Sequence, residues 1–119
     1  MITQLYDKTQ LNSLLSLGGT ELRDQFLADL ERCQIRLTEA LKLAQSDEQR
    51  SLKLSRHALH ELRGIALTVG AASLVRHCAE AEAFCDMGKI KDVADRQTEI
   101  LMICSELQTQ IMTQTAGVS

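Results

Sequence analysis

Between Leu22 and Ile111 the apolar residues of this chain recur at steps of three, four and seven, and no proline interrupts them anywhere in its 119 residues. That is the period of an α-helix, which brings every third or fourth side chain back to one face, whereas a strand alternates at every second residue. Leu22, Phe26, Cys33, Leu37, Ala40 and Ala44 make one stripe, widened by Leu30. Leu74, Cys78, Ala81 and Cys85 make a second. Ile90, Val93, Gln97, Ile100, Cys104, Leu107 and Ile111 make a third, and their alternating steps of three and four form a seam for antiparallel packing. Tyr6, Phe26 and Phe84 are the only aromatic residues, which further disfavours a sheet.

Glycines and capping residues divide these stripes into helices. A short first helix, from about 7 to 16, is expected to stop at Gly18-Gly19, with Thr20 capping a second that runs to about Ala44. Ser46-Asp47-Glu48-Gln49 fits a capping box with Ser46 as the cap, so a third helix starts there and closes near Gly70. A fourth covers about 72–87, ending at Gly88, and a fifth about 90–113. Connections of a few residues join antiparallel neighbours. The expected fold is therefore all-α: an antiparallel up-and-down four-helix bundle with a short extra N-terminal helix. It forms one domain over 1–119, frayed over 116–119, and its 45% hydrophobic content suffices for a single core.

Charge and cysteines exclude several classes. A net charge of −3 with no basic tail gives no general attraction to nucleic acid or to an anionic membrane. No stretch is long and apolar enough to span a bilayer, and the N-terminus lacks the charged start and apolar run of a secretory signal. Cys33, Cys78, Cys85 and Cys104 lie far apart on or beside apolar stripes, which reads as buried core thiols in a reducing compartment rather than a zinc site. A monomer is the default.

The chemistry lies in the third helix. With His60 at zero and about 100° per residue, Lys53, Arg56, His57, Arg63, Gly64 and Leu67 fall within about 60° of it, while Ser55, Ala58, Leu59, Leu62, Ile65, Ala66 and Val69 fall about 100–180° away. His60 therefore points to solvent, opposite the buried stripe. Its own face offers cations and no evident serine, cysteine or carboxylate partner, which disfavours a hydrolase; Glu61, about 100° around the helix, is badly placed to help. His57 and His60 could supply two metal ligands, but Arg56 and Arg63 would repel the ion, so no metal is expected. Phosphoryl acceptance suits the face better: imidazole is an uncharged nucleophile, and the arriving group carries about 1.5–2 negative charges that nearby cations can meet. Gly64, in mid-helix, costs about 0.5–1 kcal/mol against alanine, and close approach of another molecule is one reason to keep it.

His60-Glu61-Leu62-Arg63-Gly64, continuing to Val69-Gly70-Ala71 and Leu74, resembles the histidine-containing phosphotransfer (HPt) domain family: histidine, an apolar residue two further on, a basic residue at three, glycine at four and a second glycine at ten. The resemblance implies that His60 accepts a phosphoryl group from a receiver-domain aspartate and passes it to another receiver aspartate in a two-component phosphorelay. It implies that Arg63, where the family usually has lysine, stabilises the phosphoryl group, and that Gly64 lets the receiver come close. Lys53, Arg56, His57 and Leu67 are the expected partner-binding residues. The chain would need no cofactor or ATP site, the magnesium ion being the receiver's. It would work in the cytoplasm, free-standing or as the carboxy-terminal module of a membrane-bound hybrid sensor kinase. Two departures stand out: Arg63 is a planar fork rather than a point charge, and Ile65 stands where the family often has a small or polar residue. His77 is placed at the surface of the fourth helix. The alternative reading is a helical adaptor that binds a receiver or other partner through the His60 face without being phosphorylated. An enzyme or metal protein built in the bundle core comes last, since the stripes contain almost no inward carboxylates or histidines.

Overall fold

The computed structural model describes residues 4–114. They form four helices, α1 (Lys8–Lys42), α2 (Glu48–Thr68), α3 (Ala72–Asp86) and α4 (Ile90–Gln114), with a 3-10 turn, Leu43–Gln45, between α1 and α2. The expected fraying over 116–119 lies outside the described residues. No helix among the described residues is long and apolar enough to cross a membrane.

The apolar stripes close on one another as their spacing requires. Leu30 and Leu37 of α1, Leu59 and Leu62 of α2, Leu74 of α3 and Ile100 and Leu107 of α4 are all buried to within 1%. At about 1.5–3 kcal/mol for each large side chain removed from water, this burial outweighs helix propensity, which differs by only tenths of a kcal/mol between most residues. Leu22, Ala44, Ile90 and Gln97, assigned to the stripes, are half-buried at their edges. The four cysteines are free and buried. Burial pushes the thiols of Cys33 and Cys78 up and raises those of Cys85 and Cys104 to about 11 and about 12, which disfavours the reactive thiolate form.

The N-terminal third differs from the expectation. Helical structure runs through Ser16 and Gly18, and the break falls at Gly19, whose backbone (φ 59°, ψ −142°) is open to glycine and strained for any other residue. Beyond it the chain returns to helix at once, so Thr20 lies inside α1. The part of α1 before the kink lies across the end of α2: Asp7 N–H donates to the Val69 carbonyl at 2.8 Å, and Gln10 Nε2 to that of Leu67 at 3.1 Å. Tyr6 and Leu11 thereby enter the core. Gly70 permits this approach, because it has φ 65° and an added Cβ would lie 2.5 Å from Gln10 Oε1 and 2.6 Å from Asp7 Cβ.

The start of α2 also shifts by one residue. Asp47, not Ser46, is the N-cap, and its carboxylate accepts from the Arg50 backbone N–H at 3.1 Å. Ser46 Oγ turns back to the Leu43 carbonyl instead. A carboxylate at a helix N-terminus gains from the helix dipole as well as the hydrogen bond, so Asp47 is the better cap of two adjacent candidates.

Two stability measurements check these assignments. In urea unfolding, Asp47→Ala should cost about 0.5–2 kcal/mol while Ser46→Ala stays within about 0.5 kcal/mol; equal losses would return the cap to Ser46. Gly70→Ala should cost about 1–3 kcal/mol through its positive φ and the clash with the start of α1.

Candidate functional site

α2 is held on two sides, by α1 and by α3, and this clamps the rotation of the helix. Its buried residues are Ser51, Leu52, Ser55, Ala58, Leu59, Leu62 and Ala66. Of the residues expected inside, Ile65 is half-buried against the core. The opposite face looks outward, and the His60 side chain is 66% exposed.

The residues expected to share the His60 face do share it, but they divide into two flanks. Arg56 and Arg63 lie towards α3 and are engaged there, Arg56 Nε contacting Asp86 Oδ1 at 2.7 Å. His57 and Lys53 lie towards α1, on a groove with Leu54 and Ala40. Gly64 is on the same flank, beside a second groove formed with Leu14, Leu22, Phe26, Ile65 and Thr68. A Cβ built on Gly64 meets no atom within 4 Å, so no packing inside the described chain explains the glycine. Leu67 is 56% exposed, one helical turn beyond Gly64.

The residue that sequence reasoning missed is Glu82. It lies on α3, only 6% exposed, and reaches across to the His60 face. Oε1 is 3.1 Å from His60 Nδ1, and Oε2 is 2.6 Å from Arg63 Nε. The Arg63 contact is too bent for a hydrogen bond and is held by charge, while Arg63 Nη2 donates to Oε1 at 3.4 Å. The expectation of a histidine face without a carboxylate is thus corrected. Glu82 comes from a different helix, and angular reckoning along α2 cannot include it. A signal did exist, since Glu82 follows Cys78 by four and Leu74 by eight and so lies on the inward stripe of α3, where a carboxylate is costly without a partner.

Electrostatics orders this cluster. A carboxylate accepts hydrogen bonds and repels a lone pair, so Nδ1 facing Oε1 carries the ring proton, and Nε2 keeps its lone pair. Arg63 Nη2, 3.1 Å from Nδ1, then serves the carboxylate rather than the ring. Nε2 has no partner among the described residues. The result is an exposed imidazole with its basic nitrogen directed away from its anchor. Glu82 in turn depends on Arg63, because a buried carboxylate stripped of its cation is strongly destabilising.

The other candidates are placed elsewhere. Glu61 bonds Arg36 Nη1 at 3.0 Å through Oε2, on the α1 side and away from His60. His77, expected at the surface, is only 14% exposed and is packed between α3 and α4, with Nε2 3.0 Å from Glu99 Oε2. Among the described residues no group of three or more His, Cys, Asp or Glu side chains is placed to hold a metal ion.

Comparison with curated proteins and with solved structures gave no match. The Hpt domain family, by contrast, matches residues 21–111, which begin just past the kink in α1 and take in α2, α3 and nearly all of α4. The match contains His60, Arg63, Gly64 and Glu82, agrees with the all-helical fold and covers more than half of the chain. The protein therefore belongs to the Hpt domain family, the phosphotransfer modules of two-component signalling that interact with receiver domains.

Proposed function

We propose that His60 is the phosphorylated residue of a phosphorelay intermediate, taking a phosphoryl group from a receiver aspartate and giving it to the aspartate of another receiver. The observation that carries this reading is the anchoring of exposed His60 through Nδ1 by buried Glu82, which leaves Nε2 without a partner among the described residues, one helical turn before uncovered Gly64. The Nε2 lone pair attacks phosphorus, the phosphorus–oxygen bond of the aspartyl phosphate breaks, and the electron pair leaves with the aspartate carboxylate. No proton has to move, because Nδ1–H stays against Glu82 and the carboxylate offsets the positive charge the ring acquires. Transfer to the second receiver is the same step in reverse. The magnesium ion belongs to the receiver, so this chain acts as a phosphotransfer protein without an ATP site of its own.

Arg63 acts first on Glu82 and only then on the phosphoryl group. Its guanidinium has five donors, and those not directed at Glu82 remain for phosphoryl oxygens. Lys53, His57 and Leu67, with Arg56 paired to Asp86, form the surrounding docking face. Exposed pairs of this kind are worth about 0–1 kcal/mol each, so they steer more than they bind.

This reading includes an antiparallel up-and-down bundle with the part of α1 before Gly19 as an added N-terminal helix. Cross-helix pairs support it: Ala40 meets Ser51 and Arg36 meets Glu61, Arg56 meets Asp86 and Arg63 meets Glu82, and Glu80 meets Arg96 while His77 meets Glu99. In each helix pair one number falls as the other rises. The domain spans 1–119 and works as a monomer in the cytoplasm, free-standing or as the carboxy-terminal module of a hybrid sensor kinase.

Incubation with a phosphorylated receiver should label the wild-type chain with an acid-labile, base-stable phosphoryl group that moves on to a second receiver. His60→Gln should abolish the label and His57→Gln should leave it; receiver binding without label in the wild type would favour the adaptor instead. In a second test, Glu82→Gln should slow phosphoryl acceptance and change the ring-nitrogen NMR signals of His60 while the helical content stays. Unchanged signals would remove Glu82 from the site.

A further inference from the structure

His77 lies outside the site and has no part in the reaction described above. Its Nδ1 is 2.8 Å from the Ser73 carbonyl oxygen one turn earlier in α3, and its Nε2 is 3.0 Å from Glu99 Oε2 on α4. Both partners are acceptors only. An imidazole with acceptors at both nitrogens satisfies both only as the imidazolium, in which each nitrogen carries a proton. The ring is 14% exposed and Glu99 is 58% exposed, so the contact joins a packed ring to a carboxylate at the rim.

The charged groups around the ring continue the pattern. On α4, Arg96 is 3.4 Å from Glu99 Oε2, and its other nitrogen is 2.9 Å from Glu80 of α3. Arg76 of α3 stands 4.0 Å from the same Glu80. Along the α3–α4 seam the order is therefore Glu80, Arg96, Glu99, His77, with alternating sign when His77 is charged.

We propose that His77 is a proton-operated clasp between α3 and α4. Doubly protonated, it holds the Ser73 carbonyl with one nitrogen and Glu99 with the other. When the Nε2 proton leaves, Nδ1–H keeps the carbonyl, a lone pair faces the carboxylate, and Glu99 turns to Arg96 or to water. The clasp is closed while both ring nitrogens carry protons and opens when Nε2 loses its own, so its contribution to stability is present on the acidic side and is lost as pH rises. α3 also carries Glu82, so the clasp fastens the helix on which the partner of His60 stands. The inference does not depend on phosphoryl transfer.

The test uses the full chain at pH 6.0 and pH 8.0, with ring-nitrogen NMR of the wild type and urea unfolding of wild type, His77→Gln and Glu99→Gln. At pH 6.0 both nitrogens of His77 should carry protons, and at pH 8.0 only Nδ1. Going from pH 8.0 to 6.0, the folding equilibrium constant of the wild type should gain about two- to fivefold over either variant, the size of an exposed ion pair. His57 and His60 are common to all three chains, so their titration cancels in the comparison. If His77→Gln fails to fold, Glu99→Gln carries the comparison by itself. A singly protonated ring at pH 6.0, or variants that keep the full pH response of the wild type, would overturn the clasp.

Discussion

The rotation of α2 is the constraint on which both fold and site depend. The helix is packed on two sides, and the seven residues it buries fall within about 120°, a third of its circumference. Rolling it by one residue would bring His60 or Arg63 towards the core and expose Leu59 or Leu62. The loss of apolar burial, about 1.5–3 kcal/mol for each large side chain, makes that roll prohibitive. The outward aim of His60 is thus set by leucines on the far side of the same helix.

Glu82 adds a second, different kind of constraint. A carboxylate only 6% exposed loses hydration that its neighbours must replace. Arg63 supplies charge and His60 Nδ1 supplies a hydrogen bond, and both come from α2, three residues apart on one flank. The carboxylate therefore does two jobs at once. It joins α3 to α2, and it selects which nitrogen of His60 holds the proton. The cation next to the histidine is first a structural counter-ion, which explains how an arginine serves at this position: its fork can meet a carboxylate and keep donors in reserve.

Much of this was legible in advance for a simple physical reason. Periodicity reports which side of a helix faces the core, and the stripes read from the sequence hold at Leu30, Leu37, Leu74, Ile100 and Leu107. The histidine, basic and glycine spacing sits within one helix, where rise and turn are known before any tertiary contact forms. Local competition was less legible. Ser46 and Asp47 are both good caps, and only the path of the 3-10 turn decides between them. The break at Gly19 rather than before Gly18 was a similar near-tie, since the two neighbouring glycines both tolerate unusual backbone.

The sequence by itself determined an all-helical chain, the apolar stripes, and a helix face bearing His60, Arg63 and Gly64, because all of these follow from spacing along one strand of backbone. Tertiary structure alone decided what stands opposite that face. It brought Glu82 to His60, Asp86 to Arg56 and Glu99 to His77, pairs separated by 22 to 30 residues in the chain. Such pairings depend on the relative rotation and register of two helices, and those quantities are set by the sum of side-chain packing across the whole core rather than by any local pattern.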